Sequence, residues 1–432
     1  KLSSFANPRS TQRWAADLLV YRQQAYLPRT AELADNAVIL VRRQNGAEKT
    51  YTIPWDKTGT PLTKLGPLPN FRLNRGNRRS VAPSGTADES KPPQPEELAP
   101  DAPPTPAYLK PWLSLQRHKV TRPVRTLRGF SQRNPIYRLP AGFTQRLGRL
   151  NSDYFYSGAY TAGEKRIGFI RIGTFDPVDF SLLGLPLRQF EQEIAYMKAN
   201  TDVLVVDITR NGGGYACYAE ELEKYLIAKP FTGIGVEIRP NLDIIRDFEL
   251  SVQDAQDYGE EWEARLMAAI TGDVKTAYSE NRGRTGPLPL CSLRLDQEPI
   301  RDRNGAVLAY DKPILLLTDE FSTSAADAFA ATLQDAHAAT LFGFRTAGAG
   351  GNTVTTSAGF YSEGSAAVTQ MLTVRPTMQN VPGFGATRYI ENTGVRPDIE
   401  YDYQTLDNLL DNGASFVDAF TKAAAALVPS AN

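Results

Sequence analysis

Two segments in which an apolar strand passes directly into a helix constrain the fold most. In LLLTDEFSTSAADAFAATLQDA, residues 315–336, three leucines precede the turn at Asp319, and an apolar stripe at helical spacing begins after Ser324. The segment VLVVDITRNGGGYACYAEELEKYL, residues 203–226, repeats this order around three consecutive glycines. Strands that are apolar at successive positions are typical of sheets covered by helices on both faces. The sequence therefore predicts an α/β domain built on a mostly parallel sheet.

Other apolar patterns extend this α/β order along the chain. The further strands are predicted at residues 167–172, 312–318, 340–343 and 366–374, and the further helices at residues 187–198, 260–271 and 416–427. Near the amino terminus, residues 37–54 alternate in polarity on both sides of Asn45-Gly46, which predicts a β-hairpin.

The ionisable composition excludes several classes of partner. The 48 Lys and Arg residues balance 48 Asp and Glu residues, so no overall field attracts nucleic acid or an anionic membrane. No apolar segment is long enough to span a membrane. The two histidines and two cysteines fit no metal-ligand spacing, and no phosphate-binding glycine motif is present, so we expect neither a metal nor another cofactor. A disulfide between Cys217 and Cys291 is compatible with the sequence, but spacing does not decide it.

Ser324 lies where a nucleophile would be well placed. The predicted helix begins directly after it, and the unpaired N–H groups at a helix N-terminus favour developing negative charge. The N–H group of Ala325 would then stabilise an oxyanion formed by attack of the Ser324 hydroxyl. The structural alternative is that Ser324 is an ordinary N-cap, with Asp327 supporting the same helix end. Ser324 is thus a candidate for either role.

Four motifs in order resemble the carboxy-terminal processing (tail-specific) serine protease family. They are DITRNGGG, DEFSTSAADAFAATLQD, GFRTAGAGG and TGVRPDIEYD, and the resemblance spans about residues 164–403. It implies a crotonase/ClpP-like variant of the α/β architecture. The common branch of the family uses a Ser–Lys dyad, whose lysine falls at the position of Ala349 here. Residues 345–352 contain no lysine. The chain is therefore more similar to the branch that includes the chlamydial protease-like activity factor, which has a Ser–His–Glu triad.

This resemblance assigns roles to individual residues. The nucleophile falls on Ser324 and the triad glutamate on Glu391, whose structural alternative is an exposed turn carboxylate. A triad carboxylate orients the histidine and stabilises the imidazolium. The oxyanion hole is expected to combine Ala325 with Gly213 or Gly214, although a glycine turn alone is equally compatible with a tight strand-to-helix connection.

The chain offers no obvious histidine for this triad. His337 lies thirteen positions beyond Ser324, at the other end of the same predicted helix, which places the two about 20 Å apart. His118 follows a proline-rich segment and has no orienting motif nearby. In the resembling branch the histidine comes from a region ahead of a PDZ-like module. We therefore expect that Lys1 is an internal start, and that the histidine lies upstream of it.

The resemblance and the composition together give a domain plan. Residues 1–80 are expected to be a partial PDZ-like β-rich module, and residues 81–111 a flexible Pro-rich linker. Residues 112–432 would be the catalytic α/β domain, with an insertion at about residues 240–310.

The leading hypothesis is a secreted or periplasmic serine endopeptidase that hydrolyses peptide bonds with a Ser–His–Glu triad. Its partner would be a protein or peptide substrate, and an amino-terminal fragment supplying the histidine and a homodimer are further partners to test. The alternative is a catalytically dead relative that binds peptides or a hydrophobic ligand. A third hypothesis, an acyl-CoA enzyme of the same broad fold, has the weakest support because fold alone does not establish function.

Overall fold

The computed structural model describes residues 8–19, 34–43, 45–55, 129–178, 182–357 and 365–429. The chain divides into two compact units. The larger unit comprises Lys1–Thr11, Thr86–Val354 and Thr369–Asn432, and the smaller comprises Gln12–Gly85 and Thr355–Val368. The predicted Pro-rich linker, residues 81–111, lies outside the described residues.

Helices and strands alternate through most of the larger unit. The helices are α1 (Pro8–Leu19), α2 (Gly184–Asn200), α3 (Ala216–Lys224), α4 (Leu242–Asp257), α5 (Glu261–Ser279), α6 (Ala325–Asp335), α7 (Leu406–Leu410) and α8 (Ala414–Ala426). The strands are β1 (Asn36–Arg42), β2 (Glu48–Pro54), β3 (Thr144–Leu147), β4 (Tyr156–Ala162), β5 (Lys165–Arg171), β6 (Val203–Asp207), β7 (Phe231–Thr232), β8 (Gly235–Ile238), β9 (Leu288–Pro289), β10 (Asp296–Gln297), β11 (Ile314–Thr318), β12 (Thr340–Gly343), β13 (Gly351–Ser357), β14 (Ser365–Val381), β15 (Gly385–Tyr389) and β16 (Ile399–Glu400).

The central sheet of the larger unit has seven strands in the order β16-β12-β11-β6-β5-β4-β3. The strands from β5 to β16 pair in parallel, whereas β3, β4 and β5 pair antiparallel at one edge. The prediction of an α/β domain with a mostly parallel sheet is confirmed. Because the carboxyl ends of parallel strands share one edge, the turns after β6 and β11 become neighbours.

Both faces of this sheet are covered, which explains why its strands are apolar at every position. In β6, Leu204 and Val206 belong to the cluster that contains α2, α3 and α6. Val203 and Val205 point the other way, into the cluster formed with Phe416 and other residues of α8. Successive side chains of a strand face opposite sides, so a two-sided core requires apolar residues throughout.

A second sheet and a helix pair occupy the region between β6 and β11 and the segment after β12. This sheet has the order β13-β14-β8-β9, with β15 paired to β14. The helix expected at residues 260–271 is confirmed as α5, and it packs against α4, which the sequence analysis missed. A disulfide between Cys217 of α3 and Cys291 just after β9 joins the two regions, with the two Cα atoms 5.2 Å apart.

A buried ion pair anchors the carboxyl edge of the central sheet. Arg171 at the end of β5 and Asp207 at the end of β6 are both fully buried, and Arg171 Nη1 lies 2.7 Å from Asp207 Oδ2. The Tyr137 hydroxyl donates to the same oxygen at 2.7 Å, and the Arg171 guanidinium also donates to the Thr209 hydroxyl at 3.1 Å. These bonds satisfy charges that would otherwise destabilise the interior.

The predicted hairpin is confirmed in the smaller unit. Strands β1 and β2 pair antiparallel from Asn36 opposite Pro54 to Arg42 opposite Glu48. The connection is closed by a hydrogen bond from Arg43 N–H to the Ala47 carbonyl, and Gly46 adopts the positive φ of +79° that this turn needs.

Candidate active site

Ser324 lies in the turn between β11 and α6 with its side chain exposed. Its backbone has φ 60° and ψ −118°, a conformation that residues with a Cβ atom rarely adopt. Such strain persists only where the surroundings enforce it, and it concentrates at functional sites. A sharp strand-to-helix turn of this kind is how α/β-hydrolases expose a nucleophilic serine. The local geometry therefore fits a reactive hydroxyl as well as the end of a helix.

One buried carboxylate, that of Asp327 in the first turn of α6, holds this conformation. Asp327 Oδ2 accepts the N–H groups of Ser324 at 2.8 Å and Ala349 at 3.1 Å, and Oδ1 accepts the N–H group of Gly348 at 2.9 Å. Burial raises the Asp327 pKa to about 6, against the opposing effect of these hydrogen bonds and one from the Thr346 hydroxyl. The capping role expected for Asp327 is present, and the same side chain also fixes the loop after β12.

The glycine turn after β6 lies directly against the serine turn. Thr323 N–H donates to the Asn211 carbonyl at 3.0 Å, and a Cβ atom placed on Gly213 would lie 2.7 Å from Ser324 Cβ. The Gly213 N–H group donates to Asn211 Oδ1 at 2.8 Å. Only a residue without a side chain fits between these two turns.

The candidate oxyanion donors differ in their availability. Among the described residues, Gly213 N–H has the Asn211 side chain as acceptor, whereas the N–H groups of Gly214 and Ala325 donate to no protein acceptor. Gly214 and Ala325 both line the cavity that contains Ser324. The free pair at this site is therefore Gly214 with Ala325.

Glu391 reaches the same site through the loop after β12. Gly351 N–H donates to Glu391 Oε2 at 2.5 Å, and Asn392 N–H donates to the Gly348 carbonyl at 2.8 Å. Because Asp327 holds Gly348 as well, hydrogen bonds connect the serine turn with the glutamate turn. Burial raises the Glu391 pKa, and the bond from Gly351 opposes the rise. Glu391 is half-buried, unlike the exposed turn carboxylate that was its structural alternative.

These turns surround a cavity of about 480 Å³ in the larger unit. Its lining includes Ser324 and Ala325 from the serine turn, the glycine turn at residues 212–214, and residues 349–353 of the loop that contacts Glu391. Side chains of α3 and of the second sheet complete the wall. The cavity is large enough for a peptide side chain beside the Ser324 hydroxyl.

No described histidine lies at this cavity. His337, which follows the end of α6, lies against a different depression that is also lined by Gln334 and Asp398. His118 lies outside the described residues. Within the described ranges, no three His, Cys, Asp or Glu side chains form a group that could hold a metal ion. Among the helices that the structure describes, none has both the length and the apolar character needed to cross a bilayer.

Comparison with known proteins places these features in a family context. The model of Peptidase family S41 matches residues 166–401, more than half of the 432 residues. A curated protein of Chlamydia trachomatis serovar D is 28% identical over 306 residues, which cover 63% of this chain and 47% of that protein. A protein of Chlamydia pneumoniae is 26% identical over 313 residues, 65% of this chain and 47% of that protein. The chain thus spans about half the length of the curated relatives it matches.

Solved structures show the same fold. The structure of mature CPAF complexed with lactacystin superposes with a TM-score of 0.60 at 21% identity, covering 92% of this chain and 69% of that one. The crystal structure of mature CPAF gives a TM-score of 0.59 at 22% identity, with coverage of 90% and 67%. Family match, fold and the order of the four motifs agree. The chain is a member of Peptidase family S41.

Proposed function

We propose that this chain forms the catalytic region of a serine endopeptidase with a Ser–His–Glu triad. Ser324 is the nucleophile, and Glu391 is the carboxylate that orients the histidine. The observation that carries the proposal is the strained, exposed conformation of Ser324 at a helix N-terminus, inside a cavity that also has the loop bonded to Glu391 in its wall. A packing or capping role alone does not require a serine with positive φ facing a cavity.

The proposed chemistry begins with attack of Ser324 Oγ on a peptide carbonyl carbon. The histidine takes the hydroxyl proton and later gives it to the departing amine, while Glu391 stabilises the imidazolium. The carbonyl oxygen becomes an oxyanion that accepts hydrogen bonds from the N–H groups of Ala325 and Gly214. Gly213 contributes through its lack of a side chain, since its own N–H is bonded to Asn211. Water then hydrolyses the acyl-enzyme.

The general base is the component that the described residues do not contain. We propose that it is a histidine from a part of the protein outside these ranges, either an amino-terminal fragment or a segment of the intact polypeptide. The family model and the fold support this, because in the resembling branch the base comes from upstream of the catalytic domain.

The finer features of the fold and of the location belong to the same proposal. The catalytic region would be the crotonase/ClpP-like type of α/β domain, and the hairpin β1–β2 would be the later half of a PDZ-like module followed by the Pro-rich linker. The Cys217–Cys291 disulfide supports a secreted or periplasmic location, because disulfides persist in oxidising compartments. The homodimer stays a prediction, which a mass measurement in solution would test.

The second candidate is a catalytically dead relative that binds peptides or a hydrophobic ligand. It is favoured by one observation, the lack of a histidine at the cavity among the described residues. It predicts ligand binding without any reaction at Ser324, even when a base is supplied.

A fluorophosphonate labelling experiment separates the two candidates. The chain is treated with probe in the presence and absence of imidazole, which replaces the triad histidine as a free base at low effective concentration. We expect imidazole-dependent modification of Ser324, located by peptide mass spectrometry, and no modification in Ser324→Ala. Ser131→Ala is the matched control, since Ser131 lines the same cavity but lies at no helix N-terminus. Imidazole-independent or absent labelling at Ser324 would contradict the peptidase proposal.

A further inference from the structure

Two glutamates of α3 face the cavity that contains Ser324. Glu220 and Glu223 are three positions apart, so they lie on the same side of the helix, and both line the cavity. The Glu223 residue is only 3% exposed, and Glu220 is partly buried. Asp176, on a loop at the same wall, adds a third carboxyl group.

The cavity contains no cation that would balance these groups. Among the described residues that line it, none is Lys, Arg or His. The Lys224 ammonium lies 3.0 Å from Glu221 Oε2, and neither of these two residues lines the cavity. The Thr332 hydroxyl beside Glu223 donates its one proton to the Ala328 carbonyl at 3.1 Å. Glu223 is therefore a buried carboxyl group that faces an open space without an ion-pair partner.

The remaining wall is apolar. Ile234, Val236, Leu290 and Met371 come from the second sheet and its connections, and each lines the cavity. An apolar channel that ends in carboxylates fits the alkyl stem and charged head of a long basic side chain. An uncharged aliphatic side chain would fill the stem region but leave the carboxyl groups unpaired.

We propose that this end of the cavity is a specificity subsite for the side chain of a lysine or arginine adjoining the scissile peptide bond, with Glu220 and Glu223 as its anionic floor. The inference rests on the proposed peptidase function, because it places the substrate beside Ser324. It names the class of substrate, a peptide that is basic at this position.

The protonation of the two glutamates makes the subsite sensitive to pH. Burial raises the Glu220 pKa to about 7, with Lys224 lowering it and Glu221 raising it. Burial, and then Glu220, raise the Glu223 pKa well above its ordinary value, whereas Thr332 and Lys224 act against the rise. Asp176 and Tyr215 are the other titratable residues on the cavity wall. Since a cation pairs with the ionised form, the preference for a basic side chain should grow as pH rises from about 6 to about 8.

The test compares two peptidyl diphenyl phosphonates that differ only in having lysine or norleucine next to phosphorus. Their stems are of similar length, so the comparison isolates the charge. With the wild-type chain and imidazole, we expect the lysine probe to modify Ser324 at least about tenfold faster at pH 8, as is common for a buried charge pair. The Glu220→Gln/Glu223→Gln variant should lose this preference while keeping the rate with the norleucine probe.

A control and a binding measurement keep the outcomes separate. Glu298→Gln removes a charge from a residue whose side chain is 67% exposed and lies outside the cavity lining, and it should retain the preference. Calorimetric binding of the matching lysine and norleucine peptides to Ser324→Ala reports on the subsite without any reaction. A lysine preference in binding that the double Gln variant abolishes, with no phosphonylation of the wild type, would support the subsite and refute the peptidase function. Equal rates and equal binding for the two side chains would overturn the subsite.

Discussion

Replacement of Gly213 by alanine tests whether the glycine turn and the serine turn form one unit. The new methyl group would lie 2.7 Å from Ser324 Cβ, 2.7 Å from the Thr323 carbonyl oxygen and 3.0 Å from the Ala325 nitrogen. Two of these three atoms belong to the backbone and have little freedom to move. The positive φ of +84° costs an alanine roughly 1–2 kcal/mol. Overpacking adds about 1–3 kcal/mol. The free energy of unfolding should therefore fall by about 2–5 kcal/mol.

Gly305 provides a matched control. Its φ is +85°, and a Cβ atom there would meet no atom within 4 Å. Gly305→Ala therefore pays only the roughly 1–2 kcal/mol of backbone strain. Urea unfolding measures the stability of both variants, and fluorophosphonate labelling measures the reactivity of Ser324. A displacement of about 1 Å lowers reactivity on the order of a hundredfold, which we expect for Gly213→Ala alone. Equal losses of stability and equal labelling rates in the two variants would refute the coupling of the turns.

Three further predictions follow from the buried carboxyl groups. Glu391→Gln keeps an acceptor for its backbone partner but removes the charge, so peptide cleavage by the complete enzyme should fall about 10²–10⁴-fold with little change in melting temperature. Arg171→Met leaves Asp207 buried without its cation, and thermal unfolding should show a loss of about 3–5 kcal/mol. The Asp327 pKa of about 6 exceeds its ordinary value, so the native state binds this proton more tightly than the unfolded chain. Relative to Asp327→Asn, the wild type should therefore lose up to about 3 kcal/mol of unfolding free energy between pH 4 and pH 7, and a constant difference would contradict this.

The secondary structure around the site could be predicted because its signals are local. The apolar strand at residues 315–317 is part of β11, and the helix expected after Ser324 begins at Ala325. Three consecutive glycines after β6 marked the second turn, and parallel pairing then brings both turns to one edge. A strand period, a helix period and a glycine turn all lie within a few residues, so no knowledge of distant contacts was needed.

Contacts between distant segments could not be predicted in this way. Asp327 had a recognisable position in the first turn of a helix, but its bonds to Gly348 and Ala349 depend on the placement of the loop after β12. The disulfide joins cysteines separated by 74 positions, with no spacing rule to pair them. The acidic character of the cavity was also missed, because Glu220 and Glu223 resemble the solvent face of a helix until α3 is packed against α6.

Asp327 holds the loop after β12 entirely through backbone N–H groups, and this separates the shape of the site from its choice of base. At position 349 the side chain takes no part in the tether, since only the main-chain N–H of Ala349 donates to the carboxylate. The same position lines the cavity beside Ser324 and corresponds to the lysine of the Ser–Lys branch. Evolution could therefore exchange lysine for alanine there, and move proton transfer to an imidazole, without rebuilding the turn that presents the nucleophile.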